Sequence, residues 1–209
     1  VSALSPVGYP AWLRAAHQLE DAGEVVCARG VAQILDERLA GSRRMLARLR
    51  DKGYLASSHG KGTYRLAAPG RWLLGLPVLV YLASPIDTID PWDAGDAAID
   101  ATANLVACIG PPAVALAASC TAIGLVSDGA VPDAIDALAA IARRADVVVV
   151  VGDDPLTESR ADVVAAERAD ALIVVATGAS AAPVPMGGAY DPRIVAAAAL
   201  VRRALGGEP

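Results

Sequence analysis

Four arginines, Arg43, Arg44, Arg48 and Arg50, crowd into one short stretch directly after Ser42. A guanidinium keeps its charge at any working pH and presents a planar fork of donors. That fork matches a phosphate or the two acceptors on the major-groove edge of guanine. Ser42 stands where a helix N-cap belongs, and the free N–H groups of a capped first turn suit an anion. Further along, His59 and Lys61 lie in Ser58-His59-Gly60-Lys61-Gly62, a run of turn formers. Cations on such a tip can reach a sugar-phosphate backbone or a minor groove. An arginine run alone is ordinarily a solvated helix face. A basic hairpin next to it in sequence points instead to double-stranded DNA.

A second set of residues is acidic and hydroxylic. Ser84, Asp87, Asp153, Asp154 and Thr177, with Ser180, each follow a run of strand character. In a parallel α/β sheet, ligands bind in the crevice beyond the carboxyl ends of the strands. Carboxylates and hydroxyls gathered there suit a nucleoside-like or sugar-phosphate effector. Singly, such residues are ordinary turn and cap formers. A phosphate cradle needs glycines followed by Lys and Ser or Thr. After Ala83 the chain carries Asp87, Asp90, Asp93 and Asp96 instead, so no nucleotide cofactor is expected. Cys27, Cys108 and Cys120 are far apart, and His17 and His59 have no metal-ligand spacing around them, so no metal is expected either. Thiols of this kind fit a reducing cytoplasm. No catalytic residue is assigned.

The elements that position the first set occupy residues 1–70. Trp12, Ala15, Ala16 and Leu19 recur at helical spacing and predict a helix over Ala11–Ala22. A second helix is expected over Arg29–Glu37, with Val31, Ile34 and Leu35 inward. A third is expected over Arg43–Lys52, with Met45, Leu46 and Leu49 buried and Gly53 as terminator. Helical rotation puts Arg43, Arg44 and Ala47 opposite that stripe, with Arg48 and Arg50 flanking them. Tyr54–Ser57 and Thr63–Leu66 alternate as strands around the basic tip and predict a hairpin. Three helices followed by a two-stranded wing is the layout of a winged helix-turn-helix. The segments RRMLARLRDKGYL and GKGTYRL resemble those of bacterial winged-helix transcriptional regulators, over Tyr9 to about Leu66. The wing is similar to that of GntR-type regulators, and the third helix and wing to the N-terminal domain of AbiEi-type antitoxins. The resemblance implies a DNA-binding regulator or, as an alternative, an antitoxin-like repressor that binds a protein partner.

Residues 71–209 read as a Rossmann-like, mostly parallel α/β domain, with Pro69-Gly70 as the seam. Strands are expected over Leu76–Ala83, Ala113–Ala118, Val147–Val151 and Leu172–Ala176. Helices are expected over Asp96–Ile109, Asp133–Arg144, Asp162–Ala169 and Arg193–Leu205. Alternating buried strands and helices imply a parallel sheet covered on both faces. VYLASPID and RRADVVVVVGDDP resemble segments of nucleoside 2-deoxyribosyltransferase-like proteins, which implies either such an enzyme or an inactive ligand-binding relative. That family's nucleophilic carboxylate lies in a Gly-Thr-x-x-Glu segment, whereas SRADVVAAE here has no Gly-Thr pair and Glu167 falls further along. ATANLVACIG and the stretch from Val147 to Gly178 also resemble the later strands of ParA-like and tyrosine-autokinase folds.

Composition sets the outer limits. The 209 residues are 55% hydrophobic with a net charge of −5, which excludes a disordered chain and a polybasic nucleic-acid coat. The charge is divided unevenly. Residues 1–75 hold eleven basic and six acidic side chains, a balance of +5, and the remainder carries −10. Ala101–Ser127 lacks charge but contains Pro111-Pro112, Asn104 and Thr121, and reads as a buried helix and strand rather than a membrane span. No secretory leader is visible. The expectation is therefore a cytoplasmic transcriptional regulator that is a homodimer and contacts no membrane, because one recognition helix ordinarily needs a two-fold mate.

Overall fold

Helix α1 (Tyr9–Asp21) begins with Pro10 in its first turn, where a missing N–H costs nothing, and buries Leu13, Ala15, Ala16 and Leu19. The computed structural model describes residues 8–58, 60–83, 101–116, 144–151, 172–176 and 192–206. After α1 come β1 (Val26–Cys27), α2 (Ala28–Leu35), α3 (Leu39–Asp51), β2 (Leu55–Ser57), β3 (Thr63–Leu66) and α4 (Ala68–Leu73). The three strands form an antiparallel sheet in the order β1-β3-β2. Leu55 pairs with Leu66, and Val26 pairs with Tyr64. Leu13, Leu19, Val26, Val31, Met45, Leu46, Leu49, Leu55 and Leu66 close into one apolar core. Burial of this kind contributes roughly 1.5–3 kcal/mol per large side chain.

Several expectations are corrected in this unit. Helix α3 starts at Leu39 rather than Arg43, because Leu39 and Ala40 favour helix and Gly41 is tolerated inside it. The expected seam at Pro69-Gly70 lies inside α4, and the chain divides into two compact units between Leu76 and Pro77. Strand β1, two residues long and without periodicity of its own, adds a third strand to the hairpin. On α2, Val31 and Ala32 are buried and Leu35 is half-buried, while Ile34 is exposed. At 3.6 residues per turn Ile34 lies roughly 110° round the helix from the line that those three define, so it falls outside the stripe that meets the core.

The second unit contains β4 (Val78–Ala83), helix α5 over 101–109, β5 (Ala113–Ala115), β6 (Val147–Val151), β7 (Leu172–Ala176) and α6 (Pro192–Ala204). The four strands are all parallel, in the order β5-β4-β6-β7. Val147 to Val150 are consecutive and each has no exposed surface, so both faces of β6 are covered. At the amino end of the sheet the Asp146 carboxylate accepts from Leu79 N at 2.9 Å, while its backbone bonds to Leu79 and Leu172. Helix α6 packs on β6 and β7. Its Arg202 guanidinium donates to the carbonyls of Cys108 and Ile109 at the end of α5. The chain is thus a mixed α/β protein with a parallel four-stranded sheet. The expected helix over Asp162–Ala169 lies outside the described residues, as does that over Asp133–Arg144 except for Arg144. No helix among the described residues is long and apolar enough to cross a membrane.

Candidate functional site

Helix α3 presents its arginines because its other side is committed to the core. Ser42, Met45, Leu46 and Leu49 are buried along one stripe, while Arg43, Arg44, Arg48 and Arg50 are exposed. The helix ends in a glycine-based stop. Gly53, at φ 77°, donates its N–H to Arg50 O at 2.8 Å, and Tyr54 N donates to Leu49 O at 2.9 Å. The chain then enters β2, against which α3 packs, so the arginine helix and the hairpin belong to one packed body.

The arginines are not equivalent. Arg50 is held by Asp51, with its Nη2 and Nε at 2.7 and 3.1 Å from the same carboxylate oxygen. The hydrogen bond to Asp51, followed by that residue's charge, raises the Arg50 pKa above its ordinary value. Among the described residues, no carboxylate stands within 4 Å of Arg43, Arg44 or Arg48. Arg44 Nε donates to the Ala40 carbonyl at 3.4 Å, a long contact that lays the side chain back along the helix. Arg48 and Arg50 also complement the negative end of the helix dipole.

Ser42 does not do what its position in the sequence implies. It sits inside α3 with no exposed surface, its N–H bonded to Arg38 O at 3.0 Å and its Oγ 3.4 Å from the same oxygen. It can offer nothing to a phosphate, and Arg38 occupies the N-cap without a side-chain cap. Arg38 is exposed there, and Ala40 joins Ala47 on the outward side between the arginines. Sequence reading missed Arg38 and Ala40. Placing the helix start at Leu39 is the signal that would have found them.

The hairpin tip is built by Thr63, whose Oγ1 accepts from Gly60 N at 3.0 Å and donates to Gly60 O at 2.6 Å. Gly62, at φ 81°, adopts the left-handed backbone that this tight turn requires. Lys61 is exposed on it. His59 lies outside the described residues, as do Ser84, Asp87, Asp153, Asp154, Thr177 and Ser180.

The order β5-β4-β6-β7 does bear on the ligand set. The chain moves from β4 to β5 on one side and then crosses to β6 on the other, so the direction of winding reverses between β4 and β6. In open α/β sheets the crevice for a ligand forms beyond the carboxyl ends of the two strands at such a reversal. Comparison with known proteins returned no matching family model, no matching curated protein and no matching solved structure.

Proposed function

We propose that the protein is a DNA-binding transcriptional regulator in which the N-terminal unit is a winged helix and the α/β unit senses a small molecule, joins two copies, or does both. The element order helix, strand, helix, helix, strand, strand supports this reading, with α3 as recognition helix and the β2–β3 hairpin as wing. One observation carries it: Arg43, Arg44 and Arg48 share the outward side of α3, exposed and without a carboxylate mate among the described residues. Arg44 and Arg48 are one turn apart, and like charges at that spacing destabilise a helix by about 0.2–0.5 kcal/mol. A polyanion offsets that repulsion. The balance of +5 over residues 1–75 favours the same partner.

Tight binding at physiological salt calls for two half-sites about 34–36 Å apart, and therefore for a homodimer. The sheet reversal between β4 and β6 supports a crevice for a nucleoside-like or sugar-phosphate effector. The test is a mobility shift of the full chain on duplexes flanking its own gene, repeated with Arg43→Ala/Arg44→Ala. Salt-sensitive binding by the parent protein and its loss in the variant are expected. Binding that is absent, or that ignores both salt and substitution, overturns the reading. A thermal-shift screen of nucleosides and sugar phosphates tests the second unit, where a ligand at one hundred times its Kd stabilises the fold by about 2.7 kcal/mol.

A further inference from the structure

We infer that Arg44 is the residue of α3 that reads a base, and that Arg43 and Arg48 are phosphate clamps on either side of it. The inference rests on the DNA-binding reading and divides labour among side chains that the reading leaves equivalent. The division follows from where each residue lies around the helix. Ser42, Met45, Leu46 and Leu49 define the buried line. At 3.6 residues per turn, Arg44 lies about 30° from the line diametrically opposite, whereas Arg43 and Arg48 lie about 70° to its two sides. Asp51, its carboxylate on Arg50, closes that outermost line at the C-terminal end of α3, and along the rest of it lie Ala40 and Ala47. Neither has a side chain beyond Cβ, so the helix can sink towards whatever it faces.

A B-form major groove is about 12 Å wide, close to the diameter of a helix with its side chains. Only the outermost line of a seated helix then meets base edges, and residues about 70° round from it meet the two phosphate walls. Arg44 is also the one arginine of the three with an intrahelical tether among the described residues. Its Nε is engaged by Ala40 O at 3.4 Å, which leaves the terminal Nη1 and Nη2 pair free to span O6 and N7 of guanine. Arg43 and Arg48 have no such tether among those residues. Free rotation suits a phosphate, which accepts a donor from many directions. Arg50 lies about 90° off the outermost line, and Asp51 holds it.

The experiment uses the full chain and a pool of random-sequence duplexes, from which the parent protein and three variants each select their preferred sites. Binding constants for the selected sites are then measured between about 50 and 200 mM salt. Arg44→Lys keeps the charge and removes the fork. It is expected to leave the salt slope unchanged and to reduce the preference for guanine at one position per half-site by about 5- to 150-fold. Arg43→Ala and Arg48→Ala are each expected to make the slope of log K against log salt shallower by about 0.9, with the selected sequence unchanged. If Arg44→Lys retains the guanine preference, if either alanine variant loses it, or if the parent protein binds but selects no sequence, the division of labour is wrong while DNA binding stands. If the parent protein shows no salt-sensitive binding, both the inference and the reading beneath it fall.

Discussion

Gly70 passes so close to Tyr54 that a side chain there would overlap the Tyr54 carbonyl oxygen. The same oxygen accepts from Ala67 N at 3.1 Å, so α4 is docked on the entrance to β2 by a bond at its cap and a bare glycine one turn on. Gly70→Ala is expected to lower stability by about 1–3 kcal/mol, the usual cost of overpacking, as a fall in the denaturant midpoint. An unchanged midpoint would show that α4 does not pack where the structure has it.

Gly41 is the opposite case. It lies within α3, and a Cβ there would meet nothing nearer than Glu37 Oε2 at 3.8 Å. Gly41→Ala should raise stability by about 1 kcal/mol, through helix propensity alone. Equilibrium unfolding of the two proteins side by side checks the sign.

The Glu20 carboxylate accepts from Leu66 N at 2.6 Å and so ties the end of α1 to the last residue of β3. Glu20→Ala strands a partly buried N–H and should cost about 1.5–3 kcal/mol, whereas Glu20→Gln keeps an acceptor and should cost less. Hydrogen exchange at the Leu66 amide should accelerate in the alanine variant and change little in the glutamine one.

In the second unit, Arg202 satisfies carbonyls at the end of α5. Arg202→Ala removes those donors and is expected to lower the melting temperature, with a loss of about 1–2 kcal/mol. Arg202→Lys should restore part of it. Equal melting temperatures for all three proteins would refute the cap.

Replacing Arg43, Arg44 and Arg48 together by alanine should make the salt slope of DNA binding shallower by about 1.8, at about 0.9 for each of the phosphate contacts assigned to Arg43 and Arg48. Arg50→Ala alone should change it less, because Asp51 already occupies that guanidinium. Circular dichroism should register no loss of helix in either protein, since all four side chains are exposed.

Patterns carried within a few residues are legible in the sequence itself. The stripe of Met45, Leu46 and Leu49, the turn formers around Lys61, the valine run from Val147 to Val151 and the stop at Gly53 each announce an element from local spacing. A helix face or a strand follows from periodicity and propensity, and these need no distant neighbour. Decisions that depended on residues far along the chain were not legible. The two-residue strand β1 has no periodicity of its own and exists because it pairs with Thr63 and Tyr64. Ser42 resembles a cap in its local string but is enclosed because α3 begins a turn earlier and packs against the core. Gly70 resembles a break between domains, and its purpose is visible only once Tyr54 is beside it. The reversal of winding between β4 and β6 is likewise a property of strand order, which no single segment encodes. Short-range preferences set what each segment can become, and burial against distant segments selects where it begins, what it touches and which of its charges stay exposed.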